Sequence, residues 1–115
     1  MLLDMEMKKN TLVVRPSGDL DLGVADTFRS ALEEALNREQ ARNLVFNFSK
    51  VSFVDSSVLG VMLGRYKRIS RSGGKVFIVS PQPQVRRVFE LSGLLRIMEE
   101  HSSEDGALEK IGQGE

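Results

Sequence analysis

Residues 51–60, Val-Ser-Phe-Val-Asp-Ser-Ser-Val-Leu-Gly, set two hydroxyls directly after a carboxylate, where a strand connection turns into a helical pattern. Such a junction is exposed, and Ser and Asp side chains there accept hydrogen bonds from amides that have no partner within the helix. Two chemistries fit these residue types. Asp55, Ser56 and Ser57 can cap a helix and do nothing more. Alternatively, a serine at such a helix start can accept a phosphate whose oxygens face the amides and the positive end of the helix dipole, so the helix tolerates the group. The added charge of about −1.5 to −2 beside Asp55 would then repel a partner surface that packs against the neutral loop. Spacing alone leaves both readings open.

The rest of the chain offers little catalytic material. Cysteine is absent, which removes disulfides, thiolate metal sites and a cysteine nucleophile. His101 is the only histidine, without a Ser-His-Asp set or a second imidazole, and is expected on the surface. Ser72-Gly-Gly-Lys75 has the composition of a phosphate loop, but it follows a helix and enters a strand, the reverse of the required context. Arg65, Lys67, Arg68 and Arg71 read as a solvated helix face, with an acidic partner as the alternative. Gly60 and Gly64 share a helix face and admit either close packing or the approach of a partner. Leu59 and Gly60 directly follow the Asp55-Ser56-Ser57 loop and are carried as candidate contact residues. A serine nucleophile needs a positioned base and an oxyanion site, and no convincing pair is present, so no enzyme, cofactor or metal is expected.

The elements that position these residues follow from periodicity. Leu3, Met5 and Met7 alternate with Asp4, Glu6 and Lys8, and after a turn at Lys9-Asn10 the run Thr11–Arg15 resumes as a strand, giving an opening hairpin. From Val24 to Glu39, Val24, Phe28, Leu32 and Leu36 with Ala25, Ala31 and Ala35 fall at helical spacing. Leu44–Phe48 reads as a strand covered on both faces, and a helix over 57–70 closes at Gly73-Gly74. Lys75–Val79 is the next buried strand. Pro83 opens a helix with the stripe Val85, Val88 and Phe89, which Gly93 ends; a short strand is expected over 95–98. Ser102-Ser103-Glu104-Asp105 precedes a terminal helix carrying Ala107, Leu108 and Ile111, and the last four residues are expected to fray. The order ββαβαβαβα predicts an α/β fold: a mixed sheet with an antiparallel N-terminal hairpin and packed helices, forming one domain over 1–115.

Composition bounds the function classes. Sixteen Lys and Arg balance sixteen Asp and Glu, so the chain lacks the one-signed field of nonspecific nucleic-acid or membrane-surface binding. With no Trp and 6% aromatic residues, a stacking platform for single strands is not expected. No apolar run approaches the length of a membrane span, and Met1–Glu6 lacks the pattern of a signal peptide, so a soluble cytoplasmic protein is expected.

The sequence resembles the anti-sigma factor antagonists of the STAS-domain family, and among them those of the sporulation anti-sigma-F pathway. The most specific segment is Phe53-Val-Asp-Ser-Ser-Val-Leu-Gly-Val-Met-Leu-Gly-Arg-Tyr-Lys-Arg68; Ser17-Gly-Asp-Leu-Asp-Leu22, Ser72-Gly-Gly-Lys-Val76 and Arg87-Val-Phe-Glu-Leu-Ser-Gly-Leu94 support it in order and spacing. The resemblance implies a single STAS domain and a partner that is both anti-sigma factor and serine kinase. In the family the first serine after the loop Asp is phosphorylated, which maps onto Ser56, with Ser57 as its neighbour. It further implies that the unmodified protein binds the anti-sigma kinase and frees the sigma factor, that phosphorylation switches binding off, and that a phosphoserine phosphatase restores it, in control of sporulation transcription. Asp19 and Asp21 either assist the start of the first helix or, through a family-like placement beside the serine, join the partner surface, Asp21 foremost. The family's usual Gly after the serine pair is Val58 here, which bears on the first helical turn.

Two alternatives stand beside this reading. One is a receiver-like signalling domain phosphorylated on Asp55, suggested by the length, the βα alternation and the carboxylates Asp19 and Asp21. The other is a constitutive STAS interaction module with no switch.

Overall fold

The computed structural model describes residues 1–113. β1 (Leu2–Lys8) and β2 (Thr11–Leu20) form the antiparallel hairpin, with Lys9 at positive φ in the two-residue turn. α1 (Leu22–Glu39) follows, then β3 (Asn43–Asn47), β4 (Lys50–Val54), α2 (Ser56–Arg71), β5 (Val76–Val79), α3 (Pro83–Ser92), a single 3₁₀ turn at Leu94–Arg96, β6 (Glu99–His101) and α4 (Glu104–Gln113). The sheet runs β1-β2-β3-β5-β6, parallel from β2 onward. β2 is long enough to serve two partners along one edge: Thr11–Val14 pair with β3, and Ser17–Leu20 pair with β4.

The α/β class and the mixed sheet with its hairpin are as expected, and the order gains one strand. β4 reads in sequence as mere connection because its apolar residues do not alternate. Val51 and Val54 are buried while Ser52 and Phe53 are exposed. The cause is a bulge: Gly18 pairs with Val51 and Asp19 with Phe53, so Ser52 is an extra residue and the pleat is reset across it. A second difference lies after α3. The expected strand over 95–98 is a 3₁₀ turn, in which Ile97 and Met98 amides both donate to the Leu94 carbonyl; Leu94 and Met98 are buried. The strand itself is displaced to Glu99–His101, whose acidic residues hide it from an apolar pattern.

Sheet residues of one face, including Leu12, Val14, Leu44, Phe46 and Ile78, pack against Phe28, Leu32 and Leu36 of α1, Val58, Met62 and Ile69 of α2, and Val85 and Phe89 of α3. Phe46 and Phe48 stack at 5.8 Å, and Phe48 meets Phe89 at 5.2 Å. Val13, Val45, Phe77 and Val79 point to the opposite face, which Ala107 and Ile111 of α4 cover. His101 belongs to this side. It is half-buried with its ring 5.4 Å from Phe77, where a surface position was expected. Gly112 and Gln113 lie inside α4, and the remaining two residues of the end expected to fray lie outside the described residues.

Helix α2 is tied to α1 by charge. Arg65 Nε lies 2.7 Å and Arg68 Nη1 2.8 Å from the Glu33 carboxylate, so half of the basic run is committed within the fold. Gly73, at φ +81, closes α2, and Gly74 then runs against β3: a Cβ there would stand 1.7 Å from the Arg42 carbonyl oxygen. Among the described residues, no helix is long and apolar enough to cross a membrane.

Candidate functional site

The ends of β2 and β4 lie side by side because the two strands are parallel and paired to their last residues, Leu20 opposite Val54. The Asp55 amide donates to the Leu20 carbonyl at 2.8 Å and extends the ladder into the loop. This brings Asp19, Asp21 and the start of α1 next to Asp55, Ser56 and the start of α2. Both helices leave the same edge of the sheet, as expected for ligand and partner sites in parallel α/β folds.

Asp55 is the N-cap of α2, with Ser56 as the first helical residue. Its Oδ2 accepts from the Ser57 amide at 2.9 Å and from the Ser57 hydroxyl at 2.5 Å, and its backbone carbonyl accepts from the Val58 amide at 3.0 Å. The Ser57 hydroxyl, then its amide, hold the Asp55 carboxyl below the ordinary carboxylate range, with the Ser56 amide adding a smaller effect. The Ser56 side chain is exposed and makes no hydrogen bond to any described residue. The cap therefore comes from the carboxylate, and the sequence expectation of a capping serine whose phosphate oxygens meet open amides is corrected. Those amides already serve Asp55. A phosphate on Ser56 would have to compete with this carboxylate or stand off into solvent.

Asp21 is the N-cap residue of α1, yet its side chain makes no capping hydrogen bond, and it is exposed. Helix capping does not account for it. Asp19 accepts from the Ser52 hydroxyl on the bulged strand at 2.5 Å. The loop edge thus carries three carboxylates, two of them bonded only to neighbouring hydroxyls and amides. Among the described residues, no group of three potential metal ligands is assembled.

The remaining expected residues divide. Gly60 is exposed on the first turns of α2, and a Cβ at Gly60 or Gly64 would meet nothing within 4 Å. Close packing within the domain is therefore not their reason. Leu59 is half-buried against the main core and offers only part of its side chain. Val58 is fully buried, so its side chain turns inward to the core and adds nothing to the outer surface of the turn. Two exposed apolar residues at this edge were not singled out from the sequence. Leu22, 71% exposed, opens α1 beside Asp21, and Phe53, 50% exposed, stands beside Asp19 on β4. The sequence signal for Phe53 was present as an apolar residue two before the Asp, but only the bulge shows that it faces out.

A STAS-domain family model matches residues 3–107. The chain belongs to the STAS-domain family. It is 38% identical over 109 residues to the anti-sigma F factor antagonist of Paenibacillus polymyxa, covering 95% of this chain and 93% of that one. The structure of the anti-sigma factor antagonist SpoIIAA in its unphosphorylated form superposes with a TM-score of 0.85 at 30% identity, covering 97% of both chains. The phosphorylated form of the Bacillus cell fate determinant SpoIIAA superposes with a TM-score of 0.75 at 30% identity, covering 96% of this chain and 99% of that one. This STAS chain is thus similar over nearly its whole length to regulatory binding proteins.

Proposed function

We propose that this STAS domain is an anti-sigma factor antagonist whose binding is switched by phosphorylation of Ser56. The unmodified chain binds an anti-sigma factor with serine kinase activity and releases the sigma factor, in control of sporulation transcription. Phosphorylation ends binding, and a phosphoserine phosphatase restores it. The chain supplies the substrate hydroxyl and the surface, and the partner supplies the nucleotide and the general base. The observation that carries this reading is the free, exposed Ser56 hydroxyl at the junction of two helix starts, next to a carboxylate already bonded elsewhere.

The partner surface comprises Asp21, Asp55, Ser57, Leu59 and Gly60, with Leu22 and Phe53 as apolar anchors. Carboxylates around apolar side chains call for a partner with basic groups around an apolar depression. A phosphate in their midst adds charge of the same sign as Asp21 and Asp55, which lowers affinity without a change of fold. The receiver-like alternative is disfavoured because Asp55 is engaged by its own turn and Asp19 by Ser52.

The test is incubation with a purified anti-sigma factor kinase and magnesium ATP, followed by fragmentation mass spectrometry. One phosphate on Ser56, absent from Ser56→Ala, is expected. A phosphate on Asp55 would favour the receiver-like reading, and an active kinase that leaves the chain unmodified would favour a constitutive module.

A further inference from the structure

Two adjacent serines open α2, and they are not equivalent. Ser57 is half-buried; its hydroxyl donates to Asp55 Oδ2 at 2.5 Å, and its amide donates to the same oxygen at 2.9 Å. Two bonds from one residue to one oxygen fix the side chain as well as the backbone. Ser56 is exposed and has neither restraint on its hydroxyl. We infer that Asp55 is the specificity-determining residue of the phosphorylation, withholding Ser57 from the kinase so that the phosphate goes to Ser56 alone. This rests on the reading of Ser56 as the acceptor and adds the reason for the choice.

The chemistry of transfer explains why the bond matters. A serine oxygen attacks the γ-phosphorus of a nucleoside triphosphate, the new O–P bond forms as the bridge to the diphosphate breaks, and the hydroxyl proton passes to a base on the kinase. The nucleoside diphosphate leaves. At Ser57 the proton already points at Asp55, away from any external base. The transferring group, with its negative oxygens, would have to enter beside a carboxylate in hydrogen-bond contact with the attacking atom, where like charges repel most strongly. Asp55 is also a poor substitute base, because the bonds that hold it depress its affinity for a proton. At Ser56 the hydroxyl can rotate toward the kinase, and no hydrogen bond has to be broken first.

The experiment compares wild type with Asp55→Asn and Asp55→Ser, both with residues that still cap a helix but carry no charge. Each is treated with a purified anti-sigma factor kinase and magnesium ATP, and phosphate is localised by fragmentation mass spectrometry. In wild type all phosphate is expected on Ser56. In both variants the Ser57 to Ser56 ratio is expected to rise about tenfold or more, the size of one close charge contact. In a Ser56→Ala background, only the chains that also lack the Asp55 charge are expected to take phosphate, at Ser57. An unchanged ratio in the variants overturns the inference. So does loss of phosphate from both serines in a folded variant, since Asp55 would then be required for kinase engagement and not for selection. Absence of phosphate from wild type strikes the reading of Ser56 itself, so the two failures are told apart.

Discussion

Helices α2 and α4 both begin on a carboxylate with serines beside it, Asp55-Ser56-Ser57 in one and Ser102-Ser103-Glu104 in the other. At α4 the Ser103 hydroxyl accepts from the Gly106 amide at 3.0 Å, while Glu104 is held by Arg15 through bonds of 2.7 and 2.9 Å and by Asn47 at 2.6 Å. Arg15 also binds Asp4 and Glu6 on β1, so one guanidinium joins the hairpin, β3 through Glu104, and α4. The Arg15 bonds, then Asn47, hold Glu104 at a pKa of about 2 against a burial that opposes it. At α2 no cation among the described residues reaches Asp55; its partners come from its own first turn. The lesson is that residue type does not separate a structural clasp from a candidate switch. What separates them is whether a countercharge arrives from elsewhere in the chain. Where it does, the acid is neutralised and the helix start is closed; where it does not, the negative charge and a spare hydroxyl stay available to a partner.

The sharpest way to break this contrast is to remove the countercharge. Arg15→Met should destabilise the domain by about 2 kcal/mol in urea unfolding, because Glu104 is left half-buried without its cation, while phosphate uptake on Ser56 stays at the wild-type level. Comparable in size, but on binding alone, Leu22→Ala with Phe53→Ala should weaken the complex with the anti-sigma factor by about thirtyfold. Their exposure predicts only a small loss of stability, carried by the half-covered Phe53, which circular dichroism melts can check.

The acid response comes next. Glu104 ionises more readily in the folded than in the unfolded chain, so its stabilisation is complete above the unfolded pKa and is lost as pH falls through the folded value. Stability should therefore decline from about pH 5 toward pH 2, and Glu104→Gln should flatten that slope in denaturation curves taken across the range. Smallest is Ser103→Ala, which removes one capping bond at α4 and should cost about 1 kcal/mol with no effect on the α2 switch.

Much of the fold was legible because it is written locally. The hairpin turn at Lys9-Asn10, the stripe of α1, the strand Val76–Val79 and the Pro83-to-Gly93 span of α3 each carry their own periodicity and stop signals. The Asp55-Ser56-Ser57 start was legible for the same reason, its acid and hydroxyls being neighbours in the chain. β4 was not, since the extra residue at Ser52 cancels the alternation that marks a strand. Nor was the clasp, since Arg15 and Glu104 are 89 positions apart and no local pattern joins them. The outward aim of Phe53 depends on that same bulge, which is why a residue beside Asp19 first read as connection.

The central claim is that the charge state of Ser56 sets affinity. The direct measurement is titration calorimetry of one purified anti-sigma factor with the unmodified chain and with chain stoichiometrically phosphorylated on Ser56. The account predicts an affinity at least about a hundredfold lower for the phosphorylated chain, equivalent to about 2.7 kcal/mol of like-charge and desolvation cost. Equal affinities for the two forms would contradict it.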